Sequence, residues 1–122
     1  MTANDVGKKY VALCKENRHE ECLTTLFSKD AVSVEAAAPP GGDRIATGLA
    51  AIQAKGKWWA ENHTVHKAEM MGPYPNDDRF AVRFVYDITN QPSGKRMTMD
   101  EVGLFTVKDG KISREEFFYS MS

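Results

Sequence analysis

The chain has 122 residues, a length that fits one domain able to bury a core of its own. Its net charge of −1, from 16 basic and 17 acidic side chains with no basic run, excludes a long-range electrostatic footprint for nucleic acid. At 42% hydrophobic and 27% charged residues the composition is that of an ordinary globular protein, and no apolar run approaches the ~18 residues of a membrane span.

The opening segment MTANDVGKKY lacks an apolar signal core, so a cytoplasmic protein is expected. Val6, Tyr10, Leu13 and Cys14 recur at i, i+4, i+7 and i+8, which predicts a helix over residues 3–17. A second short helix, residues 19–28, carries Cys22, Leu23, Leu26 and Phe27. Cys14 and Cys22 form no CxxC pair and read as buried free thiols in a reducing compartment, a disulfide being the alternative. Residues 31–35, AVSVE, predict a short strand, and residues 36–48, with their Pro and Gly, a loop. Thr47 is placed to cap a third helix, residues 49–62, whose apolar face is read as Leu49, Ile52, Gly56 and Trp59. Trp58 diverges from Trp59 by about 100° around such a helix and points to a cleft edge or an interface.

After His63 the pattern is strand-like. Residues 64–71 form one strand, followed by the loop GPYPND. Residues 79–89 alternate Phe80, Val82, Phe84, Tyr86 and Ile88 against Ala81, Arg83, Val85 and Asp87. A turn at residues 91–94 leads into the closing hairpin, residues 95–119, with its turn at Lys108-Asp109-Gly110. The order of elements predicts an α+β fold, with the helices packed on one face of a curved, mostly antiparallel sheet.

Register in the last hairpin decides which acids face inward. A two-residue Asp-Gly loop pairs Glu101 with Phe118. A three-residue loop with a bulge at Gly110 pairs Glu101 with Tyr119 and puts Met99, Glu101, Gly103 and Phe105 on one face with Glu115, Phe117 and Tyr119. Pattern alone leaves both open, and with them whether Asp100 or Glu101 is the inward acid. Both faces are half apolar, which predicts that the sheet is covered twice: by its own helices and by a second subunit, giving a homodimer.

Several chemistries lack their motifs. There is no G-x-G-x-x-G, P-loop, G-x-S-x-G or Cys metal cluster. His63, His66 and Glu69 straddle a helix end and a strand start, a spacing that does not make the rings converge on a metal. No metal and no cofactor are expected.

The strings KKYVALCKEN, LFSKDAVSVE, ATGLAAIQ and VGLFTVKDGKISREEFFY, in that order, resemble the nuclear-transport-factor-2-like superfamily, in its ketosteroid-isomerase-like and SnoaL-like cyclase branch. The resemblance covers nearly the whole chain as one domain, residues 1–122, and implies a cone-shaped sheet with three N-terminal helices on its concave face. It puts Tyr10 at the isomerase's oxyanion-hole tyrosine, Glu35 at its general-base aspartate and Glu101 at its protonated aspartate. Two of those three are Glu for Asp, a methylene longer. Strand parity sets Val32 and Val34 opposite Glu35, which leaves Glu35 open as an outer residue. The resemblance also favours the three-residue turn. Glu101, Glu35, Tyr10 and His63 are therefore the candidate catalytic residues, and Trp59, Phe84, Tyr86, Met99, Glu115, Phe117 and Tyr119 the candidate pocket lining. The expected function is binding of a small, largely apolar or aromatic organic molecule. General acid/base isomerase, cyclase or dehydratase chemistry accompanies it, or else a non-catalytic ligand-binding or interaction module of the same fold.

Overall fold

Thr2 starts the first helix. Its hydroxyl accepts from the Asp5 amide while the Asp5 carboxylate accepts from the Thr2 amide, a reciprocal capping box that satisfies two otherwise unpaired donors. The computed structural model of the chain describes residues 1–120; residues 121 and 122, the end of the expected domain, lie outside the described residues. Helix α1 (Ala3–Lys15) and α2 (His19–Leu26) lead directly into strand β1 (Phe27–Val34). Then follow β2 (Ile45–Thr47), α3 (Leu49–Asn62), β3 (His63–Asn76), β4 (Arg79–Asn90), β5 (Lys95–Lys108) and β6 (Lys111–Phe118). The six strands form one curved, unclosed sheet in the order β2-β1-β6-β5-β4-β3. Neighbouring strands are antiparallel except β1 and β6, which run parallel.

Helix α1 packs on β3, β4 and β5, and α3 on β1, β2 and β3, so the helices line the concave face as expected. Between them lies an aromatic core. The Tyr10 ring centroid stands 4.5 Å from that of Phe105, and Phe80 stacks on Phe105 at 4.8 Å. Val6, Phe80, Val82, Phe105 and Ile112 are almost wholly buried. Cys14 and Cys22 are free thiols inside this core.

Four details differ from the pattern reading. Residues 27 and 28, expected in the second helix, already belong to β1, which begins four residues earlier than expected. Residues 45–47, expected as loop, pair with β1 as the edge strand β2, Ala46 opposite Ser33. Gly48, not Thr47, is the N-cap of α3; at φ 91° it takes a backbone that a side chain disfavours, and its amide donates to the Ala31 carbonyl. β3 does not stop at Met71. It runs to Asn76 through Gly72-Pro73, where pairing with β4 slips between Met71 and Tyr74. Proline is tolerated there because β3 is the last strand of the sheet and the slip spares the missing amide a ladder bond.

The closing hairpin combines both of the registers considered. Lys108 pairs with Lys111, so the loop is the two residues Asp109 and Gly110, both at positive φ (51° and 76°), the mirror-image turn that suits strand twist. Ladder register then shifts, from Val107↔Ile112 to Thr106↔Arg114, with Ser113 as the extra residue. The bulge restores the inward set that a three-residue loop would have produced. Ile112 and Glu115 are both buried although three positions apart.

Candidate functional site

Strand β1 alternates Ala31 and Ser33 inward, and Glu35 continues that face just past the strand end. Ser33 is fully buried. Parallel register sets Ser33 beside Glu115 on β6, and the Ser33 hydroxyl donates to Glu115 Oε2 at 2.7 Å. Glu35 Oε2 accepts from the Tyr119 hydroxyl at 2.9 Å, and Glu35 Oε1 pairs with Lys55 Nζ at 2.8 Å. The Lys55 ammonium also donates to Ser33 Oγ and stands 5.4 Å from the centroid of the Phe117 ring. Lys55, Ser33, Glu35, Glu115 and Tyr119 thus form one connected network, contributed by α3, β1, β6 and the segments that follow those two strands.

Glu101 completes the acidic group from β5. Its ladder partner is Phe84, and the outward neighbour Asp100 is spent in a surface pair with Arg83 at 2.7 Å. Glu101 is therefore the inward acid. Burial raises its pKa to about 7, helped by the charges of Glu35 and Glu115 and opposed by Lys55. Among the described residues no side chain hydrogen-bonds its carboxyl. Burial also raises Glu115, to about 6, with Lys55 and the Ser33 hydroxyl pulling it down. Tyr119 is pushed up to about 12 by burial and by Glu35. Tyr86 is held well above the ordinary phenol range by burial and by the charge of Glu101.

The remaining expected site residues divide. Phe84 stacks on Tyr86 at 6.0 Å and meets Phe117 at 6.3 Å, and Trp59 lies 5.7 Å from Tyr86, an aromatic wall beside Glu101. Met99 pairs with Tyr86 on the same face. Tyr10 sits deeper, among Phe27, Phe80, Phe84 and Phe105. His63 stacks on Trp59 at 4.5 Å, its Nδ1 donating to the Trp59 carbonyl while Asn90 approaches Nε2. His66 bonds separately to Thr89. No group of three His, Cys, Asp or Glu among the described residues is placed to hold a metal ion.

Lys55 and Ser33 were missed. The inward stripe of α3 reads Leu49, Ile52, Lys55 and Trp59, whereas Gly56, assigned to that face from the sequence, is exposed with open space around it. A lysine at i+3 from Ile52 and i−4 from Trp59 satisfies the same periodicity, and an inward surplus of acids is the signal that calls for a cation there. Lys55 also forms part of the wall of an outer cleft of about 390 Å³, whose other sides include Pro39, Pro40, Ile45 and Trp58.

The SnoaL-like domain family matches residues 1–119. A candidate SnoaL-like polyketide cyclase from Mesorhizobium loti superposes with a TM-score of 0.91 at 41% identity, covering 98% of this chain and 100% of that one. A nuclear-transport-factor-2-like protein from Burkholderia thailandensis gives 0.84 at 15% identity, covering 98% and 92%. A ketosteroid-isomerase-like protein from Catenulispora acidiphila, solved with trimethylamine, gives 0.68 at 21%, covering 84% and 75%. These last two bear on the fold alone. Comparison with curated protein sequences gives no match.

Proposed function

Since the chain belongs to the SnoaL-like domain family, we propose that it binds a small, largely apolar or aromatic organic molecule against the Glu35, Glu101 and Glu115 cluster and moves a proton on it. The observation that carries this reading is the unequal treatment of the carboxyls. Glu35 is bonded by an ammonium and a phenol. Among the described residues no side chain hydrogen-bonds Glu101, and burial raises its pKa to about 7. A carboxylate held by bonded donors beside a buried carboxyl that keeps its proton supplies a base and an acid at one site.

In this reading the Glu35 carboxylate takes a proton from a carbon next to a carbonyl. Protonated Glu101 donates a hydrogen bond to the oxygen as charge develops on it, worth most where water is excluded. Trp59, Phe84, Tyr86, Met99 and Phe117 form the apolar wall that orients the ligand, and Tyr10 backs that wall. His63, with both ring nitrogens engaged, holds Trp59 in place. Isomerisation, cyclisation and dehydration share this enol-forming step, and none of the three calls for a cofactor. Buried free thiols suit a reducing, cytoplasmic setting. No helix among the described residues is long and apolar enough to cross a membrane.

A second role, in assembly, is favoured by the outer sheet face. Val102 and Phe118 are ladder partners there and remain 39% and 49% exposed. A second copy covering them makes a homodimer.

The test is a thermal-shift screen at pH 7 with hydrophobic carbonyl and phenolic compounds. Compounds that raise the melting temperature of the wild type should lose that effect in Glu101→Gln, while the unliganded variant melts no lower. A screen in which no compound protects either protein removes the pocket reading and leaves the assembly role.

A further inference from the structure

Lys55 is not placed like a surface lysine. Its side chain is 21% exposed, as is that of Glu35, and its ammonium reaches across the inner face of the sheet rather than into solvent. That placement spends rotamer freedom and hydration, which a lysine keeps unless a partner compensates. The compensation here is shared. One donor goes to Glu35 Oε1 at 2.8 Å and one to Ser33 Oγ, whose own proton goes to Glu115 Oε2 at 2.7 Å. A single cation therefore touches one carboxylate directly and a second through one hydroxyl. The third, Glu101, receives no side-chain hydrogen bond among the described residues. Among the described residues no other cation pairs with the carboxyls of Glu35, Glu101 or Glu115; Arg44 reaches only the backbone carbonyl of Glu35, at 3.0 Å.

We propose that Lys55 is the positioning residue that divides roles among the three carboxyls, fixing Glu35 as the charged member and leaving Glu101 as the one that carries the proton. The assignment rests on the acid–base reading of the same site and deepens it. It follows from charge balance in a poorly hydrated space. Three carboxylates against one ammonium leave two negative charges with little water, and burial alone makes that state unfavourable. The carboxyl without a bonded donor is the one that yields. Helix geometry adds direction, because Lys55 shares one face of α3 with Ile52 and Trp59, three and four positions away, so its Cα–Cβ bond starts toward the sheet. The electrostatics agree, since Lys55 lowers the pKa of both Glu101 and Glu115 while Glu35 raises both.

The experiment is a carboxyl-carbon NMR titration of the ligand-free full chain labelled at glutamate, from pH 4 to 9, read at Glu101 and Glu115. In Lys55→Met both midpoints should climb by roughly one pH unit. Lys55→Arg, which keeps the charge, should hold them near wild type. Removing one charge of each sign, in Lys55→Met with Glu35→Gln, should bring them back toward wild-type values. Glu35→Gln alone leaves the ammonium facing the other two acids and should lower both midpoints. That last variant keeps the lysine, so the proposal stays testable if Lys55→Met does not fold. Midpoints unmoved in Lys55→Met or in Glu35→Gln overturn the assignment, as does failure of arginine to hold them. Because no ligand is present, this result is independent of the thermal-shift screen: the screen can fail while the titration succeeds, and the reverse.

Discussion

Glu101 and Glu115 are carboxyls that the folded protein prefers to keep protonated, with pKa values of about 7 and about 6 against an ordinary 4.5. A raised carboxyl binds its proton more tightly in the folded state than in the unfolded chain. The fold therefore holds the full contribution below pH 4.5 and loses it as pH rises through the folded-state values. Stability should fall between about pH 4.5 and 7 on this account, then level off. Glu101→Gln removes the larger part of that fall. The variant should match wild type near pH 4 and exceed it at pH 8 by on the order of 2 kcal/mol, read as urea unfolding free energies at both pH values. A variant less stable than wild type at pH 8 would mean that the charged carboxylate has a partner it prefers. Ser33 offers the complementary case. Its hydroxyl is buried and donates to Glu115, so Ser33→Ala leaves that carboxyl without its donor and should cost about 1–3 kcal/mol. The same change should raise the Glu115 midpoint further, checked in the carboxyl titration.

Gly7 shows how elements constrain one another. In the middle of α1 a glycine is disfavoured, and Gly7→Ala should gain ~1 kcal/mol of helix propensity. A Cβ at that position, however, falls 2.8 Å from Pro73 Cβ and 3.0 Å from the Phe80 ring. Neither neighbour can swing away, since one is a ring in the kinked strand β3 and the other is almost wholly buried. Overpacking of ~1–3 kcal/mol wins, and the melting temperature of Gly7→Ala should drop by several degrees despite the better helix former. A rise would mean that α1 can shift on the sheet. Reading elements from the sequence succeeded where a local signal decides: the helical stripe through Val6, Tyr10 and Cys14, the alternation through Phe80 to Ile88, and the Asp109-Gly110 turn. It failed where a tertiary partner decides. Ile45–Thr47 becomes a strand because β1 offers an edge, and β3 passes through Pro73 because it lies at the end of the sheet. The Ser113 bulge has no composition of its own, yet it turns Glu115 and Phe117 inward. The inner acids were recognised from a family likeness that selects that register, not from alternation. Lys55 escaped because a lysine on a helix is ordinarily counted with the wet face.

At the scale of the whole molecule, the sheet presents one face to its helices and the other to solvent. The outer face mixes ion pairs, Arg83 with Asp100 and Arg96 with Asp87, with the exposed pair Val102 and Phe118. Apolar partners at the middle of a charged face suit a self-complementary contact about a twofold axis. Wild type should therefore elute at twice the monomer mass in light-scattering chromatography, and Phe118→Lys should elute as a monomer with its far-ultraviolet spectrum intact. A monomeric wild type would leave the outer face as ordinary surface.

The parallel ladder between β1 and β6 has a consequence in time. It brings Ser33 to Glu115, and the Tyr119 hydroxyl closes on Glu35, across separations of 82 and 84 positions. A chain emerging from the ribosome can complete α1, α2 and the β3–β4–β5 meander before β6 appears, and until then Ser33 has no acid beside it and Glu35 no phenol. Joining the first strand to the last is the slow, non-local closure of this topology. The hydrogen-bonded network of Ser33, Glu35, Glu115 and Tyr119 is thus absent from any chain in which β6 has not yet docked on β1.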